Sequence, residues 1–254
     1  MRNTALLYPF AIVLLSSCAT ELVSSAESAS ICGPTVDWQG VMTYDGSLGP
    51  TVDFVDHRER AVGQVFPIGC TGTLISENLF LTAGHCIRRN TVRDDAVRFN
   101  YQNDALGVPQ TVDTYAIEEV VEVDNGGFDY AILRLEGSPG DTWGFTPVSG
   151  FAARAGSAVT LIQHPAGNPK VVDGGTLAYD PTGRITYGDL DTLGGSSGSG
   201  VLQDATGFVV GVHIQRGCTS SGGANVAEPM LDLLDVSPTL RDVAFDASEV
   251  MAIL

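Results

Sequence analysis

Residues 71–86, TGTLISENLFLTAGHC, decide how the rest of the chain is read. The stretch predicts a β-hairpin whose second strand ends in Thr82-Ala83-Gly84-His85-Cys86. Small residues ahead of His85 let the backbone turn closely. Cys86 is positioned to tether that turn to Cys70 on the paired strand, a closure worth about 3 kcal/mol by loop entropy. The tether would also hold the imidazole of His85 in one place, as a general base requires.

Working outward, strand signals are dense from Ala61 onward, in GQVFPIGCTGTLIS, AVRFNYQ, AIEEVVEVD, DYAILRLEG, AVTLIQHPAG, KVVDGGTLAYD, GRITYGD and GFVVGVHIQ. Gly, Pro, Asn and Asp separate them, as closely spaced strands require. DATG at 204–207 predicts a tight hairpin between GVLQ and FVVGVHI. Only the end, roughly Pro229 to Leu254, carries apolar residues at helical spacing. The 254 residues suffice for one large domain, and 30 glycines and 12 prolines among short apolar runs favour an all-β fold. The formal net charge is −17, and the 13 basic residues form no cluster, which argues against a nucleic-acid partner. Acidity of this kind suits the solubility of an exported protein.

The first 18 residues have one arginine, an apolar run and then small residues, the pattern of a secretory signal. Leu15-Ser16-Ser17-Cys18 resembles the lipobox of bacterial lipoproteins, which implies lipidation of Cys18 and a membrane contact made only through that lipid. Ordinary cleavage later, after Ser-Ala-Ser at 28–30, is the alternative. Residues 19–60 are expected to form a tether and an N-terminal arm, and residues 61–254 the folded domain. Five cysteines leave one over in an exported protein; without Cys18, Cys32, Cys70, Cys86 and Cys218 can form two disulfides. Their spacings match no zinc pattern, and neither a metal nor a cofactor is expected.

Three motifs in order carry a family resemblance: TAGHC with a cysteine sixteen residues upstream, DYAILRL at 129–135, and GGSSGSG at 194–200. Together they resemble the chymotrypsin/trypsin-like serine proteases. The resemblance implies two six-stranded antiparallel β-barrels with a C-terminal helix, and a catalytic triad in the order His85, Asp129, Ser197. Peptide or protein substrates and an exported location follow from it. The loop and the later GVH are most similar to the bacterial glutamyl-endopeptidase (V8-like) branch. In that scheme His85 takes the proton of Ser197, Asp129 fixes the histidine tautomer, and the backbone N–H groups of Gly195 and Ser197 form an oxyanion hole.

Other readings compete at each position. Asp129 could instead pair with Arg134, and Asp124 is the fallback acid. Gly194-Gly195-Ser196-Ser197-Gly198 also matches the G-x-S-x-G elbow of α/β-hydrolases, with Ser196 as nucleophile; a hairpin rather than a helix follows, so Ser197 is preferred. Ser199 reads as scaffold. Ser196 stands where trypsin-type zymogens keep an aspartate, so their activation switch is not expected, and Gly200 replaces the usual proline of the branch. Asp191, Thr192 and His213 are expected to line the specificity pocket with conflicting cues: Asp191 suits a basic side chain at P1, the substrate residue just before the scissile bond, whereas Thr192 and His213 suit an acidic one. The acidic preference is favoured. Cys32 with Cys218 follows by elimination. A catalytically silent relative that binds protein through the same groove is the rival function.

Overall fold

A computed structural model describes residues 30–87 and 95–246; the signal segment, Cys18 and residues 19–29 of the tether lie outside the described residues. The N-terminal arm contributes a short strand, β1 (Gln39–Gly40), and a helix, α1 (Val52–Arg58), whose first turn is capped by the Thr51 hydroxyl. Six strands follow: β2 (Val62–Phe66), β3 (Cys70–Leu74), β4 (Leu79–Thr82), β5 (Ala96–Phe99), β6 (Asp113–Asn125) and β7 (Asp129–Leu135). They close an antiparallel barrel in the order β2-β3-β4-β7-β6-β5. After helix α2 (Pro139–Trp143) come β8 (Val148–Ser149), β9 (Ala158–Gln163), β10 (Val171–Thr176), β11 (Ala178–Tyr179) and β12 (Ile185–Tyr187). The chain ends with β13 (Gly200–Gln203), β14 (Val209–Gln215), β15 (Asn225–Pro229), helices α3 (Met230–Val236) and α4 (Pro238–Val243), and β16 (Ala244–Phe245).

The all-β chymotrypsin-like architecture expected from the sequence is present, with differences of detail. The second sheet has ten strands rather than six, running β1-β10-β9-β13-β14-β15-β12-β11, with β8 attached to β14 and β16 to β8. The arm supplies one of its edges, where Gln39 pairs with Val172, and β8 adds parallel pairings to β14 and β16. The C-terminal segment forms two short helices and a strand instead of one helix, because Ser237 and Pro238 restart the helix: the Ser237 hydroxyl accepts from the Leu240 N–H. The predicted hairpin at 204–207 is a turn between β13 and β14, closed by Gly207 N–H to the Gln203 carbonyl at 2.7 Å.

The continuous apolar runs LFL and YAIL have a simple cause: strands β4 and β7 are buried on both faces there. Phe80, Ala131, Leu133 and Leu135 point into the barrel, where Phe99 meets Phe80 edge-on and stacks on Trp143. Their neighbours Leu79, Leu81, Tyr130 and Ile132 point the other way, into a seam shared with Ile162, Val172, Val209, Val212 and Leu233 of the second half. Period-two alternation on two strands thereby serves two cores at once. Each fully buried Leu or Phe contributes about 1.5–3 kcal/mol.

The arm is clamped to the second sheet by the Cys32–Cys218 disulfide, across a Cα–Cα distance of 4.8 Å. Asp191, expected in the specificity pocket, belongs to this clamp. Its carboxylate accepts the N–H of Cys32 at 2.6 Å and of Asp37 at 3.3 Å, and its own N–H donates to Asp173 Oδ2 at 2.7 Å. Burial strips both carboxyls of water and the Asp37 charge repels their ionised forms, so Asp173 is pushed up to about 8 and Asp191 to about 6. The folded protein therefore holds protons that an unfolded chain releases above about pH 4. That contribution to stability is complete below this pH and is lost as the pH rises through the folded values. The urea midpoint is expected to fall between about pH 5 and 8, and Asp173→Asn is expected to flatten the fall; an equally steep fall in the variant would place its origin elsewhere.

Candidate active site

His85 sits in a one-turn 3-10 helix, Gly84–Cys86, at the end of β4. A Cβ on Gly84 would lie 1.9 Å from the Asp124 carbonyl, so only glycine lets this turn press against the β6–β7 hairpin. Cys86 is bonded to Cys70 as the hairpin predicts, with a Cα–Cα distance of 6.2 Å. Cys70, His85 and Cys86 form a group with metal-ligand character, but both sulfurs are consumed by the disulfide, which leaves no thiolate for a metal.

Asp129 opens β7, opposite Asn125 on β6. Its Oδ1 accepts the His85 backbone N–H at 2.8 Å, and its Oδ2 lies 2.6 Å from His85 Nδ1. This double contact fixes both the position and the tautomer of the ring: Nδ1 carries the proton, and Nε2 keeps a free lone pair. The alternative partner of Asp129 is engaged elsewhere, since Arg134 pairs with Glu119 at 3.3 Å. Asp124 is occupied as well. Its carboxylate accepts the N–H groups of Gly126, Gly127 and Phe128, which hold it below the usual carboxylate range and shape the turn that delivers Asp129.

The three serines of the Gly-rich loop have different surroundings. Ser196 is fully buried, and its hydroxyl accepts the Leu193 N–H at 3.0 Å, so it braces the loop and is closed to solvent. Ser199 is also buried and donates to the Ser196 carbonyl at 2.7 Å. Ser197 is the half-buried one. Its carbonyl accepts the Thr71 N–H at 2.9 Å and lies 3.9 Å from Cys86 Sγ, which places it beside the His85 turn. Gly195 has φ +100, and a Cβ there would lie 2.6 Å from the His164 carbonyl. The N–H groups of Ser196, Gly198 and Ser199 are spent on backbone carbonyls, whereas those of Gly195 and Ser197 have no backbone acceptor among the described residues. Two unspent donors beside a half-exposed hydroxyl can stabilise an oxyanion.

A cleft of about 280 Å³ opens beside Ser197, lined by Ser30, Leu193, Gly194, His213 and Arg216 among others. His213 reaches it with its ring Nδ1 at 2.5 Å from the Tyr187 hydroxyl. Burial, reinforced by the nearby His85, lowers the His213 pKa to about 3, and burial holds the Tyr187 phenol well above its ordinary value, so both are neutral. Neither Asp191 nor Thr192 lines this cleft. Thr192 is buried, its N–H donates to the Ser30 carbonyl, and its hydroxyl has no hydrogen-bond partner among the described residues. Sequence reasoning missed Ser30 and Arg216. Ser30 lies in a Ser/Ala-rich stretch with no local signal, whereas Arg216, one of few cations and just beyond GVHIQ, was a findable cue.

Comparison with known proteins bears on the fold and the family. The profile of the trypsin-like peptidase domain matches residues 70–212, more than half of the chain. An extracellular metalloprotease of Bacillus subtilis is 27% identical over 180 residues, covering 65% of this chain and 56% of that protein. Secreted RxLR effector protein 73 of Plasmopara viticola is 27% identical over 185 residues, covering 64% and 44%. The chain thus spans about half the length of the curated relatives it matches. Among solved structures, a Glu endopeptidase in complex with MPD superposes with TM-score 0.58 at 19% identity, covering 81% of this chain and 98% of that one. Neuropsin, a serine protease of mouse brain, gives 0.57 at 16% identity, covering 70% and 93%. At such identities the likeness is one of fold. With the family profile spanning the His85 turn, the Asp129 strand and the Ser197 loop, the chain belongs to the trypsin-like peptidase domain family.

Proposed function

We propose that the protein is an exported serine endopeptidase that hydrolyses peptide bonds through His85, Asp129 and Ser197. The observation that carries this reading is the doubly held His85–Asp129 pair, with the half-exposed Ser197 beside its turn. His85 Nε2 takes the proton of Ser197 Oγ as the oxygen attacks the scissile carbonyl. The carbonyl oxygen gains charge and meets the N–H groups of Gly195 and Ser197, each such donor being worth about 3–4 kcal/mol when removed in comparable sites. His85 returns the proton to the leaving amine, and a water then hydrolyses the acyl-enzyme by the same steps in reverse. Asp129 stabilises the imidazolium without taking its proton.

The acidic P1 preference of the V8-like branch is supported by the cleft beside Ser197. Among the described residues its ionisable lining groups are the neutral His213 and the cationic Arg216, with no carboxylate. If Tyr187 donates to His213 Nδ1, the His213 Nε2–H is left to donate to a substrate carboxylate. Asp191, the one cue for a basic P1 residue, is turned into the arm instead.

A fluorophosphonate probe is expected to label the wild type, and Ser197→Ala to abolish labelling. Asp129→Asn is expected to lower kcat about 10⁴-fold, with activity retained in a chelator. Undiminished labelling of Ser197→Ala would sink the nucleophile assignment. Absence of any labelling would favour the silent binding module, and loss of activity to chelator would favour a metal-dependent reaction. Digestion of a denatured protein mixture is expected to give cuts after Glu and Asp, with His213→Ala lowering the Glu-over-Gln ratio about tenfold or more; cuts after Arg and Lys would overturn the acidic preference. The signal and lipid attachment at Cys18 are proposed from sequence alone. Mass spectrometry of the mature N-terminus is expected to find a diacylglyceryl-modified Cys18, and an unmodified terminus would remove the anchor.

A further inference from the structure

The loop that carries Ser197 has a second cleft on its other side, of about 370 Å³, bounded by Gly194 and Gly195 on one wall and by Gly69, Phe66, Arg98 and Tyr101 on the other. The two clefts share only Gly194. A peptide cleaved at Ser197 lies across this loop: if the acyl half fills the cleft at His213, the leaving half enters the one at Arg98. Among the described residues, Arg98 is the sole charged one lining it. It lies on β5, in register with Gln64 of β2, and its Cζ stands 3.3 Å from the centre of the Phe66 ring. Stacking on an aromatic face restrains the guanidinium while leaving its N–H edge free for a planar anion. The chain holds 30 acidic residues against 13 basic ones, yet among the described residues no carboxylate forms a salt bridge with Arg98. The other described cations in ion pairs, Arg134, Lys170 and Arg184, each have a carboxylate within 3.3 Å.

We propose that Arg98 is a specificity-determining residue that selects an acidic side chain at the first or second position on the leaving side of the scissile bond. The inference rests on the endopeptidase reading and deepens it: the substrates are acidic on both sides of the cut, recognised by two separate cationic or hydrogen-bond-donating clefts. An anion here gains a forked charge-assisted contact in a half-buried site, for a selectivity of about three- to tenfold.

Internally quenched peptides with Glu before the cut, and with Glu, Gln or Lys at each of the two following positions, test this directly. The wild type is expected to show a kcat/KM about three- to tenfold higher for Glu than for Gln at one of those positions, and lowest for Lys. The Glu/Gln ratio should approach one in Arg98→Gln and be partly restored in Arg98→Lys. In the wild type alone, raising the salt from about 0.05 to about 0.5 M should shrink the ratio, since screening acts on this contact. Equal cleavage of Glu and Gln peptides, a ratio indifferent to salt, or a ratio that survives in Arg98→Gln would overturn the inference while leaving the protease reading intact. Failure to cleave any peptide, together with absent fluorophosphonate labelling, would overturn both.

Discussion

The site depends on Thr71, a fully buried residue of the barrel that holds a loop of the other half. Its N–H donates to the Ser197 carbonyl at 2.9 Å, and its hydroxyl donates to the Gly195 carbonyl at 2.8 Å while accepting the His164 N–H at 2.9 Å. Its own carbonyl accepts the Thr82 hydroxyl at 2.6 Å, which ties β3 to the strand that ends at His85. Both hydroxyl roles are filled, so the rotamer has a single satisfied state. One side chain thus sets the spacing between the histidine side and the serine side. Because Thr71 adjoins Cys70, the disulfide that fixes the His85 turn also fixes this anchor.

Charge placement follows a pattern on this background. The protein is strongly acidic, with a net charge of −17, but among the described residues each of the two clefts flanking the Ser197 loop is lined by an arginine and by no carboxylate. Carboxylates close to the site are tied up in backbone hydrogen bonds: Asp124 in its turn, Asp129 at His85, Asp191 at the arm. Against this acidic background the two clefts present neutral or cationic groups, a contrast that favours anionic groups there over the rest of the surface.

How much of this was legible depends on the range of the interactions. The hairpin at 71–86, the turn before Asp129 and the hairpin at 204–207 are local, and alternation with turn residues reveals them. The strand expected after the loop is present as β13, and it is this strand that set the preference for Ser197 over Ser196. Asp191 was misplaced because its partners, Cys32 and Asp37, lie more than 150 residues away in the chain, and no local pattern reports such a contact. The extra strands of the second sheet escaped for a similar reason: β1, β8 and β16 are two residues each, too short for any period to show. Helix α1 was hidden in a segment of mixed composition, where a single cap at Thr51 does more than amphipathicity.

The Cys32–Cys218 bond joins positions 186 residues apart and so makes the barrel, the Ser197 loop and most of the second sheet part of one covalent ring. A protease that meets the folded domain reaches its exposed loops first. A single cut anywhere inside the ring opens it into a linear branch but separates nothing, since both fragments stay joined through sulfur. Thr71, Gly195 and the packed seam then hold the pieces in place without help from the severed peptide bond. The arm clamp therefore makes the molecule tolerant of nicks: a cut inside the ring is a scar and becomes a loss only once the disulfide is reduced.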